Sequence, residues 1–185
     1  MNVLFVNACL RKQSRTKKLA EYLLKKMDLP YEEVNVQEEE IASLDEKTMI
    51  ERDKKDLDQK YFSYAKQFKE ADIIVIASPY YDLSFSAKLK DYLETINIVD
   101  LTFAYEQDGM PYSLSKVKKV IYVTTAGGPI LSHEYGYGYV ETFFKVFYGV
   151  EDFEYYHAQE LDIIGADVEG ILNKVRAQID EKYEY

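Results

Sequence analysis

Short apolar runs alternate along this chain with longer stretches of helical period. Val3-Leu4-Phe5-Val6 is uninterrupted and β-prone, which predicts a strand buried on both faces; after a polar loop, Leu19, Leu23 and Met27 recur at helical spacing. Residues 31–36 alternate Val34 and Val36 with Glu33 and Asn35, the pattern of a more exposed strand at a sheet edge. Asp72-Ile73-Ile74-Val75-Ile76-Ala77 and Val120-Ile121-Tyr122-Val123 read as two further buried strands. A helix carrying Phe85, Leu89, Leu93 and Ile96 follows the first, and a helical period over residues 139–148 follows the second. A last strand near residues 153–157 precedes a final helix over about residues 167–182. Residues 45–69 are densely charged, yet Leu57, Tyr61, Tyr64, Ala65 and Phe68 fall on one stripe, which predicts a single long amphipathic helix. Strands alternating with helices, with the strands apolar on both faces, predict an α/β protein whose parallel sheet is covered on both sides.

Length and charge narrow the function. A chain of 185 residues buries roughly 70% of its unfolded surface, enough for one domain over residues 1–185. It carries 33 acidic against 23 basic side chains, a net charge of −10, which argues against a nucleic-acid partner because duplex affinity rests on neutralising phosphates. The single cysteine, Cys9, excludes an intramolecular disulfide and a CxxC redox pair and fits a reducing cytosol. No apolar run is long enough for a signal-peptide core or a bilayer span, so the expected location is cytoplasmic, away from membranes. One asymmetry stands against the acidity: residues 1–20 hold Arg11, Lys12, Arg15, Lys17 and Lys18 and no acid. Any anion this protein binds is expected there.

Ligands of an open parallel sheet sit beyond the carboxyl ends of its strands, which directs attention to residues 7–16, 78–84 and 124–138. The first loop joins hydroxyls and basic side chains to the start of a helix, where free N–H groups and the dipole favour an anion; Ser14 also reads as a plain N-cap. The second brings Tyr80 and Tyr81 to the ligand edge, as platforms for a flat ligand or as ordinary packing. The third, Thr125-Ala126-Gly127-Gly128, permits close backbone approach and N–H groups aimed at one acceptor, or a simple turn. His133 and His157 lack metal-ligand spacing, and no other cluster completes a metal site. The P-loop, the GxSxG elbow and the GxGxxG fingerprint are all missing.

Taken in order, Asn7 to Arg11 with Ser14-Arg15-Thr16, then Pro79-Tyr80-Tyr81-Asp82-Leu83-Ser84-Phe85 leading into Ala87-Lys88-Leu89-Lys90-Asp91-Tyr92, then Phe103-Ala104-Tyr105 to Gly109, then Thr124-Thr125-Ala126-Gly127-Gly128, resemble the flavodoxin-like NAD(P)H:quinone oxidoreductase and FMN-dependent azoreductase family. The resemblance implies a flavodoxin-like three-layer sandwich: a parallel five-stranded sheet in the order 2-1-3-4-5 with helices on both faces. It implies bound FMN, NADH or NADPH as cosubstrate, a small-molecule electron acceptor, and a homodimer with active sites at the interface. Carried onto this sequence, Cys9, Arg11, Ser14, Arg15 and Thr16 would surround the FMN phosphate. Pro79, Tyr80, Tyr81, Asp82 and Leu83 would line the ring system, and Thr125, Ala126, Gly127 and Gly128 its pyrimidine edge, while His133 and Tyr135 would orient or protonate the acceptor. Ala8, Cys9 and Leu10 stand where many relatives have Gly, Ser and Pro. The expected activity is ping-pong two-electron reduction of quinones, azo compounds or similar acceptors. The alternatives are a flavodoxin-like carrier that docks on redox proteins and a non-catalytic member of the fold.

Overall fold

In the computed structural model, which describes residues 1–56 and 59–184, five strands form one parallel sheet: β1 (Val3–Asn7), β2 (Tyr31–Asn35), β3 (Ile73–Ala77), β6 (Lys119–Thr125) and β7 (Asp152–Ala158). They lie in the order β2-β1-β3-β6-β7, which is the expected 2-1-3-4-5 once the two strands of a side hairpin are set apart. Phe5 is in register with Val75, and Val75 with Ile121, so the three central strands start together and β6 runs two residues further. Strand order reverses direction between β1 and β3, and a crevice opens there at the carboxyl ends.

Alternation along each strand divides the core. Phe5, Val75, Ile121 and Val123 face α1 (Arg15–Met27) and α6 (Val168–Tyr183), meeting Leu19, Leu23, Val175 and Ile179. Leu4, Val6, Ile74, Ile76 and Tyr122 face the other way, against Phe68 of α3 (Ser63–Glu70), Leu89 and Leu93 of α4 (Ala87–Ile96), and Val140 and Phe144 of α5 (Tyr137–Tyr148). The result is a helix–sheet–helix sandwich.

The single long helix expected over residues 45–69 is instead two helices. An Asp45–Thr48 capping box starts α2 (Glu46–Lys54), and Lys55 ends it in the left-handed conformation at φ +53°. A 3-10 turn, Lys60–Phe62, then leads into α3. The break lets the apolar positions face two ways, which one straight stripe cannot do: Phe62 and Ala65 meet Ile98 and Leu101, while Phe68 enters the main core. Leu57 lies outside the described residues, as does the side chain of Tyr61. Phe85 precedes α4 and packs on Tyr139, ring centroids 5.5 Å apart. The antiparallel hairpin of β4 (Phe103–Tyr105) and β5 (Pro111–Ser113) has strands too short to show a period, and Phe103 anchors it on Phe147 at 4.9 Å. Among the described residues no helix is long and apolar enough to cross a membrane.

Candidate active site

The first wall of the crevice continues β1. The Ala8 amide donates to the Ala77 carbonyl at 2.8 Å, and the Cys9 amide turns back onto Asn7 Oδ1 at 3.1 Å. The Cys9 thiol points into the core and donates to the Ala77 carbonyl at 3.6 Å; burial above all pushes its pKa up to about 11. Ser14 caps α1 by accepting the Lys17 amide at 3.2 Å. The amides of Arg15 and Thr16 find no partner among the described residues, and α1 has no acid in its first turn. Thr16, fully buried, shares a 2.7 Å hydrogen bond with the Thr125 hydroxyl and so joins the first loop to the third.

The second wall is a tight turn. Amides of Ser78 and Tyr80 donate to the carbonyls of Val123 and Thr125, each at 3.0 Å, so the β3–β6 ladder runs on into the loop. Tyr81 and Ser84 then exchange both backbone hydrogen bonds, at 2.9 and 2.7 Å, around Asp82 (φ +48°) and Leu83 (φ +70°). Two non-glycine residues in the left-handed region cost on the order of 1 kcal/mol each, strain that a rigid ladder can hold. The Ser84 hydroxyl donates to the Tyr135 carbonyl, tying this turn to the third loop. Burial raises the Tyr81 phenol above its ordinary value.

The third wall is laced to the chain beyond β7. The Ala126 amide donates to Ala158 at 2.8 Å; amides of Glu160, Leu161 and Asp162 donate in turn to Gly128, Ala126 and Gly127 at 3.0, 3.2 and 2.8 Å. A Cβ on Gly127 would come within 2.3 Å of Asp162 Oδ2, so any larger residue there would push that carboxylate aside. That carboxylate pairs with Arg15 at 2.7 Å across the mouth. The amides of Asp82, Leu83, Gly127 and Gly128 make no hydrogen bond among the described residues.

Together these walls enclose a polar cleft of about 220 Å³. Of the residues singled out from sequence, Arg11, Ser14, Arg15, Thr16, Pro79, Tyr80, Tyr81, Thr125, Ala126 and Gly127 line it. Gly128 sits at its edge through the bond to Glu160; Asp82 lines a neighbouring cavity, and Leu83 is exposed on the turn. The structure does not bring the Cys9 thiol to the cleft. His133 is held by Tyr155, Nδ1 to hydroxyl 3.1 Å, with the His157 ring 5.7 Å away, and Tyr135 is exposed. Gln13, Leu161 and Asp162 line the cleft and were missed. The carboxyl end of the last strand was the signal for the latter two, and 147 residues separate Asp162 from its partner Arg15. A larger cavity, about 840 Å³, opens at the amino ends of β1 and β2 against α3, away from these loops. Among the described residues no group of three His, Cys, Asp or Glu is placed to hold a metal ion.

A parallel sheet with a switch-point cleft, lined by amides and basic side chains, defines a protein of the flavodoxin-like class. The family model described as flavodoxin-like fold matches residues 1–183, and the chain belongs to that family. It is 38% identical over 130 residues to the FMN-dependent NADH:quinone oxidoreductase 2 of Clostridium acetobutylicum, covering 68% of this chain and 64% of that one. To the FMN-dependent NADH:quinone oxidoreductase of Coprothermobacter proteolyticus it is 41% identical over 128 residues, 66% of this chain and 63% of that one. These matches span less than two thirds of the relatives' own length. The crystal structure of an azoreductase from Bacillus anthracis superposes with a TM-score of 0.84 at 23% identity, covering 99% of this chain and 98% of that one. That of an FMN-dependent NADH-azoreductase in complex with FMN, from the same species, superposes at 0.80 and 22%, with the same coverage. The likeness to solved structures confirms the flavodoxin-like fold.

Proposed function

We propose that this chain binds FMN and catalyses two-electron reduction of quinones, azo compounds or similar acceptors at the expense of NADH or NADPH. The observation that carries this reading is the cleft: unpartnered amides at the start of α1, beside Ser14, Thr16, Arg11 and Arg15, form an anion site in a protein of net charge −10. A second set of unpartnered amides, on the 82–83 and 127–128 turns, suits the polar edge of a flavin ring. The relatives' names point the same way.

On this reading Arg11, Ser14, Arg15, Thr16 and the amides of the α1 start hold the phosphate. Tyr80, Tyr81 and Pro79 shelter the ring from water, and the turns at Asp82-Leu83 and Gly127-Gly128 donate N–H groups to its heteroatoms. Bound FMN supplies reversible acceptance and release of a hydride equivalent. Amides fixed in position lower the energy of negative charge developing beside them, since they need no reorganisation. His133 has Nδ1 committed to Tyr155, which leaves Nε2 to orient or protonate an acceptor.

Fluorescence titration tests the cofactor. FMN is expected to bind and lose emission, whereas replacing Arg11 and Arg15 by Ala weakens FMN strongly and riboflavin little. A preparation that binds no FMN and leaves NADH unoxidised in the presence of menadione overturns the reading. We further propose one cooperative domain, a reducing cytosolic compartment suited to the free Cys9, and a homodimer. Exposed Tyr105, Met110 and Tyr112 on the β4/β5 hairpin support the dimer. Sedimentation of the Met110→Asp variant as a monomer, against a dimeric parent, is the check.

A further inference from the structure

The cavity of about 840 Å³ lies at the amino ends of the strands, across the sheet from the proposed flavin cleft, and has no part in the chemistry proposed there. Its size is that of a small-molecule site. Tyr31 and Tyr64 give it apolar walls, with Glu32, Glu39 and Glu70 around them. A narrower pocket of about 100 Å³ adjoins it, sharing Lys60 and Tyr64 and lined further by Glu40, Ile41, Ala42 and Thr95. The narrow pocket has room for about three non-hydrogen atoms.

Two of the carboxylates have only neutral partners. Glu32 accepts the Gln67 amide at 2.8 Å and Glu39 the Tyr64 hydroxyl at 2.5 Å, and neither makes an ion pair among the described residues. Glu70, by contrast, pairs with Lys116. Glu40 holds Lys60 at 3.4 Å, with both side chains largely exposed, a contact that water weakens. The narrow pocket adds an observation independent of these charges. Thr95 of α4 is only 3% exposed, yet its Oγ1 is buried without a partner. A threonine inside a helix ordinarily returns its hydroxyl to a carbonyl one turn back, and a buried polar group left unmet is destabilising. Its neighbours Ile41 and Ala42 have no side-chain group to offer it. An unmet hydroxyl at the narrow end, a tyrosine ring beside it and unpaired carboxylates at the wide end suit a long cation better than a compact one.

We propose that these adjoining pockets bind a linear aliphatic polyamine. One terminal ammonium donates to Thr95 Oγ1 and Glu40 in the narrow pocket, the methylene chain crosses the Tyr64 ring, and a second ammonium sits between Glu32 and Glu39 beside Tyr31. Lys60 is the cation that the ligand displaces from Glu40. The site stands apart from the flavin reading, since no residue lines both.

Calorimetric titration of the full chain without flavin tests the site, at about 0.15 M salt so that long-range attraction to an acidic protein is screened. Spermidine is expected to bind once per chain, about tenfold tighter than either butylamine, which has one ammonium, or hexaamminecobalt(III), which matches its charge in a compact shape. Glu39→Gln is expected to weaken spermidine about tenfold, the size of one charge-assisted hydrogen bond, and Thr95→Val about fivefold; Lys60→Gln tightens it. Without ligand, Thr95→Val holds or raises the urea midpoint, because it removes an unmet hydroxyl, so its loss of binding is not a loss of fold. Three results would each overturn the site: no spermidine binding, equal affinity for spermidine and hexaamminecobalt(III), or an affinity that either Glu39→Gln or Thr95→Val leaves unchanged.

Discussion

Two residues show how the cleft is held. Thr16 and Thr125 sit 109 positions apart, and their 2.7 Å hydrogen bond is the direct link between the start of α1 and the end of β6. Thr16→Val keeps the shape but strands the Thr125 hydroxyl, which predicts a loss of about 1–2 kcal/mol in urea unfolding. Thr125→Val added to it recovers much of that loss, because replacing both partners removes the unsatisfied group; simple addition of two single losses would refute the pairing. Cys9 carries a second prediction. With its thiol buried and its pKa near 11, it stays protonated through neutral pH, so the native protein at pH 8 resists a thiol reagent over the minutes in which denatured protein reacts fully. Rapid native labelling would place the thiol on the cleft after all.

At the scale of elements, β7 and α5 meet through stacked rings. Tyr137 stacks on Tyr155 with centroids 4.3 Å apart, and Tyr155 on His157 at 4.8 Å, with the His133 edge closing the group. Burial, with help from the His133 charge, lowers the His157 pKa from its ordinary value of 6.5, and its Nδ1 is buried without a partner. The unfolded chain therefore binds the proton more readily than the folded one. Stability is full above about pH 6.5 and declines as the pH falls below it towards the lowered folded value. His157→Gln is expected to reduce the drop in urea midpoint between pH 7.5 and pH 5.5; an unchanged drop removes His157 as its cause. The break between α2 and α3 belongs to this scale too. Helical spacing on the sequence was real for Tyr64, Ala65 and Phe68, but period alone does not register that Lys55 turns left-handed and that Phe62 has a different neighbour from Phe68.

Over the whole molecule, a sheet buried on both faces needs two cores of similar weight. Leu23 of α1 and Leu89 of α4 are each fully buried on opposite faces. Either change to Ala should cost about 2–5 kcal/mol in equilibrium unfolding, whereas a sheet with one dispensable face would lose stability from only one of them. The buried strands, the exposed edge strand, most of the helices and the loops that line the cleft were legible in the chain. Unbroken β-branched runs and 3.6-residue periods are local properties, and a strand's carboxyl end is a ligand position wherever the sheet is parallel. The basic first twenty residues likewise marked a loop that lines the cleft without any coordinates. Contacts between distant segments were not legible: Asp162 reaching Arg15, Gly127 making room for that carboxylate, and the Cys9 thiol turning inward. Each depends on which loops the five strands bring side by side. Composition and period encode burial and local shape, but only the packed sheet sets the distances at which two remote side chains act on each other.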